Sequence, residues 1–293
     1  MIRFAFNPNA SSIAKIEEMK KNGISYAFSA LFKPCSIKKN IANDHRKFEN
    51  ENEVLELIEA IDGSKEDENL LSFLDYDKIK DGKMCRHMVV VLPYCASCDA
   101  LEELITSNKD KFKNLNNYEN INISGEDCPK KYNSVLKVKK AIENFEKEDK
   151  KTITLTVNKM LTGTTVEQWD TMLYFKDTAS PQEYDQAIFR LQNQYIKTYI
   201  DDNQETIKYN MKPQTLLVDF DPNRMFYMQE QKSMIYNVNT DEGGNDKLKD
   251  RIEKELKISP IIVLNKDKIQ QIEAVDILAK VSEYNKNRGV AEV

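Results

Sequence analysis

The sequence predicts an α/β protein built on a parallel sheet with helices on both faces. Short apolar runs alternate with amphipathic helical stretches between residues 88 and 220, which is the rhythm of repeated strand–helix–strand units. Ser180-Pro181-Gln182-Glu183 is a helix start embedded in that rhythm. Ser180 can cap, Pro181 suits the first helical position, and Glu183 sits where a capping box needs it. No run of ~18 apolar residues occurs, so a membrane span is not expected.

Residues 1–84 read as a mixed, mostly helical segment. Ile13, Ile16 and Met19 are spaced as one helix face, and Val54, Leu55, Ile58 and Ile61 repeat the pattern. Gly63 follows as a C-cap. The polar stretch from Gly63 to Glu68 reads as a loop. From Met88 the texture changes, and residues 85–220 read as the sheet domain. Its strands are predicted at Met88–Leu92, Tyr118–Ser124, Thr152–Val157, Thr171–Phe175 and Thr215–Phe220. Three helices lie between them. Ala100, Leu101, Leu104 and Ile105 mark the first, Val135, Val138, Ile142 and Phe145 the second, and Ile188, Leu191 and Tyr195 continue the one that Ser180 starts. Residues 221–293 read as an α/β extension. It has a charged helix on Leu248, Ile252 and Leu256, a short strand at 261–264, and a last helix on Val275, Leu278 and Val281.

Ligands of such sheets bind at the carboxyl ends of the strands. The loops after Leu92, Ser124, Val157, Phe175 and Phe220 are therefore the places to look, and Gly163 and Arg190 are expected near that edge.

The formal net charge is −5, so bulk electrostatics do not point to nucleic acid. Any nucleic-acid contact has to come from a local groove, from backbone amides or from a partner domain. Five cysteines at irregular spacing suit free thiols in a reducing cytoplasm. The N-terminus has no apolar signal-peptide core. Cys95 and Cys98 have CxxC spacing, but no second pair follows, so zinc is not expected. A redox site is little better supported, although a helix N-terminus beside Cys95 can lower its pKa.

Two segments carry chemistry. In residues 152–177 a strand runs into a loop with Thr162-Gly163 and then into a second strand. A glycine and threonines beyond a strand end let the backbone approach a phosphate and donate to it. An ordinary turn glycine explains the same residues. In residues 184–192, Gln186 and Arg190 are four apart and share a helix face. An arginine there can reach a phosphate across an interface, or it can cover apolar surface with its stem. Asp219 and Asp221 alternate on a strand like nuclease metal ligands. No Glu-x-Lys follows them, and a polar strand end is the simpler reading. Trp169 reads as core.

Taken together and in this order, NKMLTGTTVEQWDTMLYFKD and SPQEYDQAIFRLQNQ resemble motifs V and VI of superfamily 2 helicases, of the kind found in restriction-modification systems. HMVVVLPYCASCDALEELI resembles the family's motif IV. The resemblance covers roughly residues 85–220 and implies a RecA-like fold, the second lobe of an ATP-dependent helicase or translocase. It implies that Thr162, Gly163 and Thr165 contact the DNA backbone, and that Gln186 and Arg190 face ATP held by the other lobe, with Arg190 as the finger. General motif VI reads Q-x-x-G-R-x-x-R; here Phe189 stands for the glycine and Asn193 for the second arginine, leaving Arg190 as the candidate within the motif.

The cofactors so implied are ATP and Mg²⁺. The implied partners are double-stranded DNA, an N-terminal RecA-like ATPase lobe, and nuclease or methyltransferase parts of a restriction system. No G-x-x-x-x-G-K-[ST] occurs, and the pairs Asp67-Glu68 and Asp241-Glu242 sit in polar loops rather than at the end of an apolar strand. The chain is thus expected to supply the finger and not the phosphate cradle or the metal carboxylate, as a fragment or a split subunit would. The competing readings are a non-enzymatic module that binds DNA or a partner, and a nuclease centred on Asp219 and Asp221.

Overall fold

The computed structural model describes residues 1–6, 28–35, 44–66, 71–126, 131–161, 163–178, 180–235, 244–265 and 268–291. The helix face of Ile13, Ile16 and Met19, the residue Thr162, and the pairs Asp67-Glu68 and Asp241-Glu242 lie outside the described residues.

The centre is an eight-stranded sheet, parallel throughout except at one edge. Five strands are those expected from the apolar runs: β2 (His87–Val91), β3 (Tyr118–Asn122), β4 (Lys151–Thr156), β5 (Thr171–Tyr174) and β8 (Leu216–Asp219). Three more complete it: β9 (Ile261–Asn265), the short strand expected at 261–264, with β1 (Ile2–Phe6) and β10 (Lys268–Gln271). The spatial order is β10-β9-β1-β8-β5-β2-β4-β3. A separate antiparallel hairpin joins β6 (Ile196–Ile200) to β7 (Thr206–Asn210).

The position of β1 departs from the helical reading of the N-terminal segment. It lies between β8 and β9, with Ile2 beside Leu216 and Arg3 beside Ile261. The sheet is thereby continuous from the N-terminal segment through to the last strands.

Period-two alternation divides each strand between two cores. On β2, Met88 and Val90 face one cluster while Val89 and Val91 face the other. The first cluster is closed by α2 (Glu51–Asp62) through Val54, Ile58 and Ile61, and by α4 (Cys95–Ser107) through Leu101, Leu104 and Ile105. Two short turns of helix, α1 (Phe28–Leu31) and α3 (Asp77–Lys80), add Phe28 and Ile79. The second is closed by α5 (Val135–Lys147), α6 (Pro181–Phe189), α7 (Pro222–Ile235), α8 (Gly244–Ile258) and α9 (Ala274–Ala291). Helices on both faces of a parallel sheet make this an α/β fold, consistent with a RecA-like domain.

The caps expected at Gly63 and Ser180 hold, but the helix that Ser180 starts ends at Phe189, and Tyr195, expected to continue it, lies beyond both that helix and the 3₁₀ turn that follows. Gly63 takes the left-handed φ of 83° and caps α2, and a Cβ there would press on the Asp75 side chain. Beside it the buried Asp62 carboxylate accepts the backbone N–H of Lys113 (2.7 Å), Asn114 (3.1 Å) and Leu115 (2.6 Å), fastening α2 to the loop before β3. Ser180 caps α6 by accepting from the Glu183 N–H. The reciprocal half of the capping box is absent, because the Glu183 carboxylate turns instead to Lys176 and Thr178.

Candidate functional site

The loop that follows β4 leaves the sheet at Thr156 and must return to the amino edge to start β5, since the two strands run parallel. It makes that return by packing Val166 and Trp169 into the second core. The Trp169 indole donates to the Thr154 hydroxyl at 3.1 Å, so this tryptophan is interior and offers no face to a base. Gly163 lies on the outside of the same loop. Its φ is 68°, and nothing stands within 4 Å of where a Cβ would be. A glycine is used here for its backbone conformation rather than for lack of room.

Helix α6 starts at the carboxyl edge and brings Arg190, just past its last residue, onto that loop. The Arg190 Nε donates to the Leu161 carbonyl at 2.9 Å, and Nη1 lies 3.5 Å from the Thr165 hydroxyl. Nη2 has no partner among the described residues. Thr165 and Arg190 are each half-buried, as is Gln186, one turn earlier on α6. Asn193, in the place of a second arginine, donates to the Phe189 and Arg190 carbonyls and closes the end of the helix.

The two segments singled out from the sequence are thus in contact. α6 spans nine residues, about 13 Å, and the Arg190 side chain just beyond it reaches Leu161, whose N–H in turn donates to the Asn158 carbonyl, two residues past β4. A few residues later, Tyr195 and Lys197 already meet Glu146 beside His87, the first residue of β2.

Two further constellations were not read from the sequence. At the carboxyl edge, Arg224 forms a forked pair with the fully buried Asp219, Nη2 to Oδ1 at 2.6 Å and Nε to Oδ2 at 3.2 Å. The Tyr184 hydroxyl donates to the same carboxylate at 2.7 Å. Arg224 also donates to the Lys176 and Tyr174 carbonyls and lies over the Phe28 and Tyr174 rings. Asp221 accepts the Arg224 N–H. Asp219 is therefore neutralised and saturated, and no group of three or more metal-ligating side chains occurs among the described residues. Nothing here supports a nuclease centre. The only sequence sign of the cluster was Asp219-x-Asp221 with an arginine three residues on.

At the amino edge, Glu146 is clamped by His87 (3.1 Å), Tyr195 (2.8 Å) and Lys197 (2.8 Å). Burial works against its charge, but these hydrogen bonds outweigh it and hold its pKa down at about 2. Lys212, buried beneath Trp169 and donating to its carbonyl at 2.6 Å, is desolvated and falls to about 8. In the loop itself, Gln168 is 1% exposed and neither amide atom has a partner among the described residues.

The thiol expectation is corrected. Burial, with Glu126 and Asp99 close by, pushes Cys95 above the usual thiol range, so the helix terminus does not activate it. Burial raises Cys98 further. No helix among the described residues is long and apolar enough to cross a membrane.

No family model matches the chain. Over 173 residues, 58% of its length, it is 31% identical to a protein of Mycoplasma pneumoniae described as the C-terminus of a type II restriction enzyme and methyltransferase. The aligned stretch spans 23% of that relative.

Proposed function

We propose that the chain is the second motor lobe of an ATP-dependent DNA helicase or translocase in a restriction-modification system. The observation that carries this reading is the contact of Arg190 with Leu161 and Thr165, which joins the loop resembling motif V to the helix resembling motif VI. The likeness to a protein described as a restriction enzyme and methyltransferase supports the setting.

On this reading Gly163 and Thr165, with Thr162, approach the phosphate backbone of double-stranded DNA. Gly163 presents bare backbone, and Thr165 a hydroxyl already poised by Arg190. Arg190 reaches a nucleotide phosphate in trans with its unpartnered Nη2, and Gln186 lies on the same helix face. ATP and Mg²⁺ are held by a partner lobe with a phosphate loop, and the bound nucleotide supplies the free energy of translocation. The fit of this chain to that pair is limited to the arginine, since it has no phosphate loop and no cluster of metal carboxylates among the described residues. Nuclease and methyltransferase parts complete the system.

The test is DNA-stimulated ATP hydrolysis by this chain alone and in combination with a P-loop lobe encoded beside it. Hydrolysis is expected only in combination. Robust hydrolysis by the repurified chain alone contradicts the reading, and so does a combination that this chain fails to stimulate. The latter result would favour a non-enzymatic module binding DNA or a partner.

A further inference from the structure

Directly after Arg190 and its short 3₁₀ turn, the chain leaves the core to form the β6–β7 hairpin. Of the eleven large hydrophobic side chains exposed among the described residues, five belong to these two strands: Ile196, Tyr199, Ile200, Ile207 and Tyr209. A two-stranded hairpin in water is at best marginally stable and needs a further strand or a packed face. Its free edges are also templates for pairing.

The backbone pattern says which groups face outward. The Met211 N–H donates to the Tyr195 carbonyl at 2.7 Å, and the Asp201 N–H to the Glu205 carbonyl at 3.0 Å. Hydrogen-bonded pairs alternate along an antiparallel ladder. Lys197 with Tyr209 and Tyr199 with Ile207 are therefore the bonded pairs between. The N–H and C=O groups of Ile196, Thr198 and Ile200 then point away from β7, along the open edge of β6.

We propose that β6 pairs with β6 of a second copy of this chain, antiparallel about a two-fold axis at Thr198, making a four-stranded sheet β7-β6-β6-β7. The sequence Ile196-Lys197-Thr198-Tyr199-Ile200 is palindromic in character about its centre. The two-fold sets Thr198 opposite Thr198, and each Ile196 opposite the other copy's Ile200. All of these are residues whose backbone groups face outward, so each pair exchanges both its hydrogen bonds. One face gains two isoleucine pairs, one on each side of the central Thr198 pair. On the other, the stem of Lys197 lies beside Tyr199 of the second copy, while its ammonium stays on Glu146.

No like charges meet. The same operation on β7, centred on its outward-facing Lys208, would set two ammonium groups opposite each other, which is destabilising. The acidic hairpin tip, Asp201, Asp202 and Glu205, argues against nucleic acid as the occupant. Five residues a side bury well under the ~1,600 Å² of a standard interface, so the dimer is concentration-dependent.

The test is sedimentation analysis over a concentration series, with two single variants of the exposed Thr198. The wild type should pass from monomer to dimer as concentration rises. Thr198→Glu sets two carboxylates against each other on the axis while facing Lys208 within its own hairpin, and should weaken association by about tenfold or more, with no loss in the thermal melt. Thr198→Cys under mild oxidant should form a covalent dimer beyond the wild-type background, since bonded antiparallel pairs lie within disulfide range, whereas Lys208→Cys should not. A chain monomeric at every concentration, or a dimer that Thr198→Glu leaves intact and Thr198→Cys fails to trap, overturns the proposal. Neither result bears on the motor reading, which is read out by ATP hydrolysis.

Discussion

The Arg190 Nε donates to the Leu161 carbonyl at 2.9 Å, across 29 residues of sequence. This bond ties the end of α6 to the loop after β4. On the motor reading, this bond would carry a change at the loop to the arginine, the coupling such a lobe needs between a surface that holds DNA and a residue that senses nucleotide. It also makes the loop's conformation partly dependent on Arg190.

Loss of the Asp219 carboxylate should be far more damaging than loss of any surface acid. Asp219→Ala strands the Arg224 guanidinium without its forked partner, and removing one member of a buried pair costs about 3–5 kcal/mol. Tyr184→Phe removes one hydrogen bond from the same carboxylate and should cost about 1 kcal/mol. Denaturant melts of the two variants measure both. Equal, negligible effects would mean that the cluster does not anchor the carboxyl edge.

The Asp62 carboxylate accepts three backbone N–H groups of the 113–115 loop. Asp62→Ala leaves them without an acceptor at a buried position, and a loss of about 3 kcal/mol is expected. Hydrogen exchange should show the damage concentrated at Lys113, Asn114 and Leu115. Unchanged protection there would contradict the assignment.

Two groups make stability rise with pH, in separate windows of a pH titration. Glu146 is depressed from a usual value near 4.5 to about 2. Its contribution is present above pH 4.5 and is lost as pH falls from there toward about 2. Lys212 is depressed from near 10.5 to about 8. Between those values the unfolded chain binds more protons, so stability should rise with pH across that window, in the absence of other titrations. Glu146→Gln should flatten the acid limb and Lys212→Met the alkaline one. Variants with unaltered limbs would refute the assignments.

Binding of duplex DNA by the chain alone should be weak and steeply salt-sensitive, because one lobe with net charge −5 can make few phosphate contacts. Fluorescence anisotropy across a salt series checks this. A tight, salt-insensitive complex would be incompatible with a lone motor lobe.

The centre of the parallel core was legible because β2, β5 and β8 are short, largely apolar runs buried along their whole length. Strand β1 was not, because Arg3 breaks the run. That arginine is tolerated inside only by bonds to Gln229 and to the Ser259 carbonyl, more than two hundred residues away, which no local pattern reveals. The hairpin was missed because its alternation is polar on balance and no inward face marks it. Of the candidate site, the pairing of loop and helix was readable from motif order, and Thr165 and Arg190 do meet. Asp219 looked like a ligand in sequence because its partner, Arg224, follows on the next helix, where only the turn at Asp221 brings it back.

Steady-state ATP hydrolysis by the complete two-lobe motor carrying Arg190→Ala tests the central claim most directly. A finger acts where charge grows on the transferred phosphoryl group, so kcat should fall by roughly a thousandfold or more while ATP affinity falls far less. Arg190→Lys should not restore it, because lysine lacks the planar fork. A thermal melt should show the fold intact, with a loss of about 1 kcal/mol from the Leu161 and Thr165 contacts. Normal kcat in Arg190→Ala, with only that small loss of stability, would reduce Arg190 to a residue that packs its own loop and would contradict the motor assignment.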